Sequence, residues 1–441
     1  MLEPRTDPNT PLRGYRYERL VIVLVALAAL PPISLAGPQD RTRYELTRQL
    51  VFHHTLQVPS YLFDRAVYNG KSYSDKAPGI SFMAVPAFHL ERVAGIAKSP
   101  RSWTPEGDLS LWLMRFLTSG ILFLASVVVV GRLAERLVPR SGAVTAAIFG
   151  VATLAAPLGP TMFEHDAAAA FAIAGFALLW TGRRGSALVL AGVTAGTAVL
   201  FQYSTALLVL LLALYGFWRH GRRILWFVLG GVPPALALGA YNWVAFDSPF
   251  RLSYRYVYNA YTEQQRSGFF GIGVPSLDGL REVFFGPRGL LWFSPVCAAA
   301  VVGLWLLWRR GGRAEALLAA TVLVLFVLID AGYFLPYGGG TPGPRFLVPA
   351  LPFLMLGLPR ALSRFPIPTL LLGAVSAVWM TVDALSWGVR REEDRAFVPG
   401  KNDVMSTVWS VLGLHRDLGA VLVLAAALAA VTVGTVAWAR R

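Results

Sequence analysis

The chain has 441 residues, of which 55% are hydrophobic and only 15% are charged. A mean hydropathy of +0.53 lies outside the range of soluble domains, so the composition excludes a soluble globular enzyme. The net charge of +15 comes from arginines placed between apolar runs, not along one stripe, which excludes a nucleic-acid-binding surface. We therefore predict an all-α, polytopic membrane protein with a single transmembrane domain, because helices satisfy their own backbone hydrogen bonds in lipid.

Apolar runs recur along the whole chain, and each predicts a membrane-spanning helix. The first follows basic residues and ends in small ones, as a signal peptide does, but the polar residues before it favour an uncleaved anchor. We predict twelve spans, at 20–37, 111–131, 141–157, 165–181, 186–200, 204–218, 224–246, 288–308, 314–333, 346–359, 367–387 and 419–438.

The uncharged stretch 186–218 could form one long helix or two short ones that meet near Gln202. Arginine clusters decide between them, because basic residues collect on the cytoplasmic side. With two helices every arginine cluster between the spans falls on one side. This predicts a bacterial plasma-membrane protein with both termini cytoplasmic and with large extracytoplasmic loops at 38–110, 247–287 and 388–418.

Two features of the spans have structural interpretations. Gly192 and Gly196 form a GxxxG pair, which predicts close helix packing. Cys297, the one cysteine, lies in an apolar run and is predicted to be buried. His53 and His54 are too isolated for a metal site, since no further ligand has a characteristic spacing.

Asp40 comes directly after the first apolar run, where the chain reaches the predicted outer interface. A carboxylate in this position is a candidate general base. Residues 44–56 mix apolar and polar side chains as an interfacial helix does, and 80–90 forms a second such stretch. Alternatively, Asp40 only caps the first of these helices.

The segment Tyr73-Ser-Asp-Lys-Ala-Pro-Gly79 combines a cation, an anion and turn-forming residues in the first outer loop. Lys76 suits a phosphate as a point charge. Tyr73 and Asp75 are candidates for sugar or acceptor contacts. The alternative is a surface Asp–Lys pair, which contributes little stability.

Three titratable residues, Glu164, His165 and Asp166, lie at the very short outer loop between the predicted spans 141–157 and 165–181. A carboxylate and an imidazole there could bind an acceptor, a sugar or a metal ion. Alternatively, Asp166 only interacts with the N-terminus of the next helix.

Arg345 follows a glycine-rich segment and opens a predicted span at its outer end. The cytoplasmic arginine excess does not explain it, and a guanidinium can bind a phosphate through two hydrogen bonds. Arg288 opens another span in the same way. For both, the alternative is a side chain that reaches toward lipid headgroups.

In this order, these segments resemble the GT-C superfamily of membrane glycosyltransferases. More narrowly, the chain resembles bacterial members of the family that includes the protein O-mannosyltransferases and the aminoarabinose transferase of lipid A (glycosyltransferase family 39-like). The resemblance rests on residues 39–44, 73–79, 163–165, 241–243, 247–250 and 343–346.

The resemblance implies transfer of a sugar, with inversion, from a polyprenyl-phosphate donor to an extracytoplasmic glycan, lipid or protein. It implies that Asp40 is catalytic, that Lys76 lies near the donor phosphate, and that Asp166 or Glu164 is a second acidic position. The usual Asp–Glu pair at the first position is Asp40–Arg41 here. No cofactor is certain, and a divalent metal ion stays open.

Two other functions remain as alternatives. A lipid-linked sugar transporter or flippase would share the headgroup-binding residues but would need a polar path through the bundle. Beyond Gln202 and Asn242, the sequence shows no such polar path. A structural partner in an envelope-synthesis complex would use the charged loops to bind another protein.

Overall fold

The computed structural model describes residues 12–33, 37–97, 109–386 and 404–439. Within these ranges the chain is mostly helical, as the composition predicts, with one small sheet. Residues 98–108 of the first predicted outer loop and 388–403 of the third lie outside the described residues.

The N-terminal part places one helix in the bundle and a mixed helical and extended segment at one of its ends. Its helices are α1 (Glu18–Ala29), α2 (Pro38–His53) and α3 (Gly79–Val93). A three-stranded antiparallel sheet comprises β1 (Arg65–Tyr68), β2 (Lys71–Tyr73) and β3 (Val257–Tyr258), the last from the second large outer loop, 247–287.

The middle of the chain forms a run of closely packed helices. They are α4 (Leu109–Arg115), which continues through a π-helical turn (Phe116–Gly120) into α5 (Ile121–Leu137), then α6 (Gly142–Ala152), α7 (Ala155–Leu158), α8 (His165–Thr181), α9 (Gly185–Phe201), α10 (Thr205–His220) and α11 (Leu225–Phe246), the last two joined by a 3₁₀ turn (Gly221–Ile224).

The C-terminal half completes the bundle. Its elements are α12 (Thr262–Arg266), α13 (Leu277–Phe285), α14 (Leu290–Phe293), α15 (Val296–Arg309), α16 (Arg313–Gly332), a 3₁₀ turn (Arg345–Ala350), α17 (Leu351–Leu354), α18 (Leu358–Arg364), α19 (Pro366–Ser386), α20 (Val408–Val411) and α21 (Arg416–Ala439), with a further 3₁₀ turn at Ser253–Tyr256 before α12.

Helix α6 lies at the centre of the core. Every one of its residues is buried, and it packs against α1, α5, α19 and α21. Gly142, Ala143, Ala146 and Ala147 let the neighbouring backbones approach closely, which drives helix association in lipid. The predicted burial of Cys297 is confirmed, since it joins this core.

The stretch 186–218 forms two helices, as the arginine clusters predict. Helix α9 ends at Phe201 and α10 begins at Thr205. The start of α10 adjoins the start of α8, because Gln202 bonds to His165. The end of α10 adjoins the end of α8, because Arg219 Nη2 donates to the carbonyl of Trp180. Helix α10 therefore runs back antiparallel to α9.

The GxxxG pair, Gly192 and Gly196, forms a notch in the surface of α9 into which α11 packs. The predicted close helix packing is therefore confirmed. A Cβ on Gly192 would lie 1.9 Å from the carbonyl oxygen of Phe227, and one on Gly196 would lie 2.7 Å from Pro234. Only glycine permits this approach of two backbones.

Replacing Gly192 by alanine is expected to destabilise the protein by about 1–3 kcal/mol or more, because the two helices must separate. Gly231→Ala is the matched control, since a Cβ there meets nothing within 4 Å. Thermal unfolding in detergent measures both. Equal midpoints for the two variants would contradict the role of the notch.

The number of long spans is smaller than predicted. Five helices of the described residues are long and apolar enough to cross a membrane, or up to seven if each bent helix pair is one span. Helices α6, α8 and α9 are apolar but have only 10–17 residues, so at 1.5 Å per residue they are shorter than a hydrocarbon core. A hydropathy pattern shows which residues are apolar but does not show where a helix is interrupted. Helix α6, for example, ends just before Thr153, inside the predicted span 141–157.

The first outer loop contains both predicted interfacial helices, but α2 begins at Pro38 instead of Tyr44. Asp40 therefore lies within the first turn of α2. The sheet was not predicted, although Asn69-Gly70 is a hairpin signal and both residues have the positive φ that such a turn needs. Strand β3 pairs with β1 at Arg65–Tyr258 and Ala66–Val257.

Candidate active site

Charged residues converge at the end of the bundle where α8 begins and where α9 and α16 end, which we call the site end. Arg43 of α2 lies within electrostatic range of Asp75, Lys76, Glu164 and His165. Lys76 and Arg345 both act electrostatically on Tyr333, which follows α16. Segments far apart in sequence therefore meet at one place.

Asp40 is buried and its carboxylate has several donors. Its Oδ1 accepts the amide N–H of Met162 at 2.8 Å and the Nε and Nη2 of Arg115 at 3.3 and 3.2 Å. Its Oδ2 accepts the amide N–H of Gly37, at 3.2 Å. Asp40 thus caps α2, as the alternative interpretation held, and it also carries an ion pair. As a carboxylate oxygen, Oδ2 has the lone pairs to accept a further hydrogen bond.

One turn after Asp40, Arg43 forms a buried ion pair with Glu164. The same guanidinium donates from Nη1 to the backbone and side-chain oxygens of Gln39, at 3.1 and 3.2 Å. Burial raises the pKa of Glu164, but the charges of Arg43, His165 and Arg345, together with a backbone hydrogen bond, outweigh burial and lower the pKa to about 2. Glu164 is therefore ionised across the physiological range.

His165 and Asp166 open α8 and carry unmet hydrogen-bonding capacity. His165 Nδ1 lies 2.8 Å from Oε1 of Gln202, while its Nε2 is buried with no hydrogen-bond partner among the described residues. The ring stacks on Phe163, with centroids 6.0 Å apart. Both carboxylate oxygens of Asp166 are likewise buried and unpaired within the described ranges. Buried polar atoms of this kind suit a polar ligand.

Lys76 lies between two carboxylates. Its Nζ is 2.6 Å from Asp75 Oδ2 and 3.7 Å from Asp64 Oδ2. Burial lowers the pKa of Lys76, but the two carboxylates outweigh burial and raise it, so the amine stays charged. The interpretation of Asp75–Lys76 as a surface pair is wrong, because both residues are buried.

The 73–79 segment is fixed from both sides. Ser253 Oγ donates to the carbonyl of Asp75 at 2.9 Å, which ties the segment to the second large outer loop. A Cβ on Gly79 would lie 2.7 Å from the carbonyl of Leu200, so glycine lets α3 start against the end of α9. Lys76 is therefore held at the site end by backbone packing as well as by charge.

Arg345 differs from the other site cations because none of the described carboxylates lies within ion-pair distance of it. The guanidinium carbon lies 5.2 Å from the ring centroid of Phe163 and 5.4 Å from that of Phe346. The residue is only 7% exposed. Two aromatic rings thus hold a buried positive charge beside Glu164 and His165, on whose titration it acts.

Two further predicted site residues, Arg288 and Tyr73, have structural contacts. Arg288 Nη1 lies 3.4 Å from the carbonyl oxygens of Gly339 and Thr341, so it holds the glycine-rich segment that precedes Arg345. Tyr73 packs in an aromatic cluster with Tyr241 and Phe246. Of the described residues, no three His, Cys, Asp or Glu side chains are grouped to hold a metal ion.

Arg43, Arg115 and Tyr333 contribute to the site but were not predicted. Arg43 lies three residues after Asp40, a spacing that places both on one helix face, but the helix was predicted to start later. Nothing in the sequence pairs Arg115 with a carboxylate 75 residues away. Tyr333 lacks any local signal.

Replacing Glu164 by glutamine is expected to destabilise the protein by about 3 kcal/mol, because Arg43 keeps a buried charge without a counter-ion. A carboxylate with a lowered pKa stabilises fully above its usual pKa of 4.5 and loses this contribution as pH falls toward 2. The difference in unfolding midpoint from the unaltered protein should be constant above pH 5.5 and shrink below about 4.5.

Thermal unfolding in detergent across this pH range measures the difference, with Glu263→Gln as an exposed control on α12. A midpoint difference that does not change with pH would contradict an ionised pair.

The sequence matches no protein family, and it matches no curated protein. Solved structures are similar to the chain, however. The apo crystal structure of ArnT from Cupriavidus metallidurans matches with a TM-score of 0.53 and 15% identity, over 96% of this chain and 75% of that one. The cryo-EM structure of the arabinosyltransferase EmbB from Mycobacterium smegmatis matches with a TM-score of 0.48 and 14% identity, over 96% of this chain and 40% of that one.

The likeness to ArnT concerns the fold, and the GT-C-like fold that the resemblance implied is confirmed. The predicted class, an all-α polytopic membrane protein, is confirmed with it.

Proposed function

We propose that this protein is a membrane glycosyltransferase that moves a sugar from a polyprenyl-phosphate donor to an extracytoplasmic glycan, lipid or protein. The fold is compatible with this activity, but a fold alone does not define an activity, and the support comes from the site. Arg345 supports the proposal most directly, because this buried arginine has none of the described carboxylates within ion-pair distance. A buried charge of this kind needs an anion, and a phosphate matches the planar guanidinium.

The donor phosphate lies against Arg345 in this proposal. Lys76 adds positive charge to the same region, but Asp64 and Asp75 already offset much of it. Arg345 therefore takes the larger share of binding the phosphate. As the bond between the sugar and the phosphate breaks, negative charge grows on the departing oxygen, and preorganised cations stabilise it.

Asp40 is the proposed general base. The acceptor hydroxyl oxygen attacks the anomeric carbon of the sugar, and its proton moves to Oδ2 of Asp40. The carbon–oxygen bond to the phosphate breaks, polyprenyl phosphate leaves with the electron pair, and the configuration at the anomeric carbon inverts. Arg115 and the amide of Met162 hold Oδ1 and thus keep Oδ2 oriented.

His165 and Asp166 are the proposed sugar or acceptor contacts. Their unpaired atoms, Nε2 and both carboxylate oxygens, can accept hydrogen bonds from sugar hydroxyls. Glu164 instead positions Arg43 through their ion pair. We assign no step to a metal ion.

Mass spectrometry of envelope glycans, lipids and glycoproteins from a deletion strain tests this function. One sugar should be missing, and it should return with the unaltered gene but not with a gene encoding Asp40→Asn. An unchanged envelope, or full restoration by the variant, would contradict the proposal.

A further inference from the structure

An apolar groove of about 440 Å³ lies where α10, α15 and α16 meet. Its lining includes Leu214 and Trp218 of α10, Trp308 of α15, and Arg313, Ala314 and Leu317 of α16. The two tryptophans are 67% and 41% exposed, and Leu214 and Leu317 are more than half exposed. The groove therefore opens onto the outer surface of the bundle.

The groove lies at the end of the bundle opposite the candidate active site. Helix α16 begins at Arg313, beside the groove, and ends at Gly332, next to Tyr333 of the site. Its 20 residues span about 30 Å, which equals the thickness of a hydrocarbon core. The groove thus belongs to the other membrane face.

The charges around the groove favour an anion. Arg313 lines it, is exposed and has none of the described carboxylates within ion-pair distance. The nearby acid, Glu315, is already engaged, because it accepts a hydrogen bond from Tyr215 at 2.9 Å and lies 3.8 Å from Arg219. The same end carries Arg309, the last residue of α15, and Arg310 in the turn that follows.

We propose that the groove binds an anionic phospholipid from the leaflet facing this end. One acyl chain lies along the leucines, the glycerol region lies against Trp218 and Trp308, and the phosphate binds Arg313. Basic pockets between membrane helices recognise anionic headgroups in this way, and tryptophan suits the interface. The proposal is independent of sugar transfer.

Native mass spectrometry of the full chain, titrated separately with phosphatidylglycerol and phosphatidylcholine, tests the proposal. Phosphatidylglycerol should bind more tightly, and Arg313→Gln should weaken it about fivefold while leaving phosphatidylcholine unchanged. Arg184→Gln is the matched control, because this exposed arginine lies in a turn at the same end but does not line the groove.

A second variant tests the acyl-chain part. Ala314→Phe fills the groove without a change in charge and should reduce retention of phosphatidylglycerol, with an unfolding midpoint like that of Arg313→Gln. The proposal is wrong if both lipids bind equally, if Arg313→Gln behaves like Arg184→Gln, or if Ala314→Phe retains the lipid.

Discussion

Replacing Asp40 by asparagine is expected to reduce sugar transfer by about 10²–10⁴-fold, the usual contribution of a positioned general base. Asparagine has nearly the same shape, and its amide oxygen can still accept the N–H of Met162. It cannot take a proton from the acceptor. The expected loss is therefore in kcat, with donor binding close to that of the unaltered protein, measured with synthetic polyprenyl-phosphate sugars in proteoliposomes.

A purely structural Asp40 would give a different result. Arg115 loses its counter-ion in the variant, so the unfolding midpoint is measured together with activity. If Asp40 only caps α2 and pairs with Arg115, donor binding and stability fall together and activity follows them. Asp417→Asn, at an exposed position in α21, is the control for the change in charge.

Replacing Arg345 by alanine is expected to lower kcat/KM for the donor by about 10²–10³-fold, because the variant loses the charge that we propose stabilises the leaving phosphate. Arg345→Lys should lie between alanine and the unaltered protein, since lysine keeps the charge but cannot form two parallel hydrogen bonds. Binding of undecaprenyl phosphate alone should weaken in the same order.

The control for this series is Arg364→Ala, an exposed arginine at the end of α18 that packs on Phe365. If Arg345 only reaches toward lipid headgroups, its removal leaves donor binding unchanged. Equal kcat/KM values for Arg345→Ala and Arg364→Ala would contradict a role of Arg345 in donor binding.

Local sequence patterns predicted those parts of the fold that depend on local physics. The break near Gln202 followed from charge alone, and the notch at Gly192 followed from residue size. Helices α2 and α3 were expected as interfacial segments, although the start of α2 was placed six residues too late. Pro38, at the first helical position, is the signal that fixes this start.

The contacts that build the site depend on segments distant in sequence. Asp40 meets Met162 across 122 residues, and Arg43 meets Glu164 across 121. Residue type alone indicated Asp40 and Glu164 as candidate site residues, but no sequence periodicity predicts which distant residues they contact. The same holds for β3, whose pairing with β1 joins the first and second large outer loops.

The twelve predicted spans outnumber the described helices that are long enough to cross a membrane, because hydropathy cannot detect where a backbone bends. The apolar run 346–359 becomes a 3₁₀ turn and two short helices, and the pair Arg345–Leu354 and Leu358–Arg364 bends by 55°. Prolines at 349, 352 and 359 fall within this segment and explain the interruption.

The most direct test of the site is a transfer assay with purified protein in proteoliposomes that contain a polyprenyl-phosphate sugar, with acceptors from an envelope extract. Release of polyprenyl phosphate should match the formation of a product with inverted anomeric configuration, and both should disappear in Asp40→Asn and Arg345→Ala. Movement of intact donor across the bilayer, without its consumption and at equal rates in all three proteins, would contradict the account.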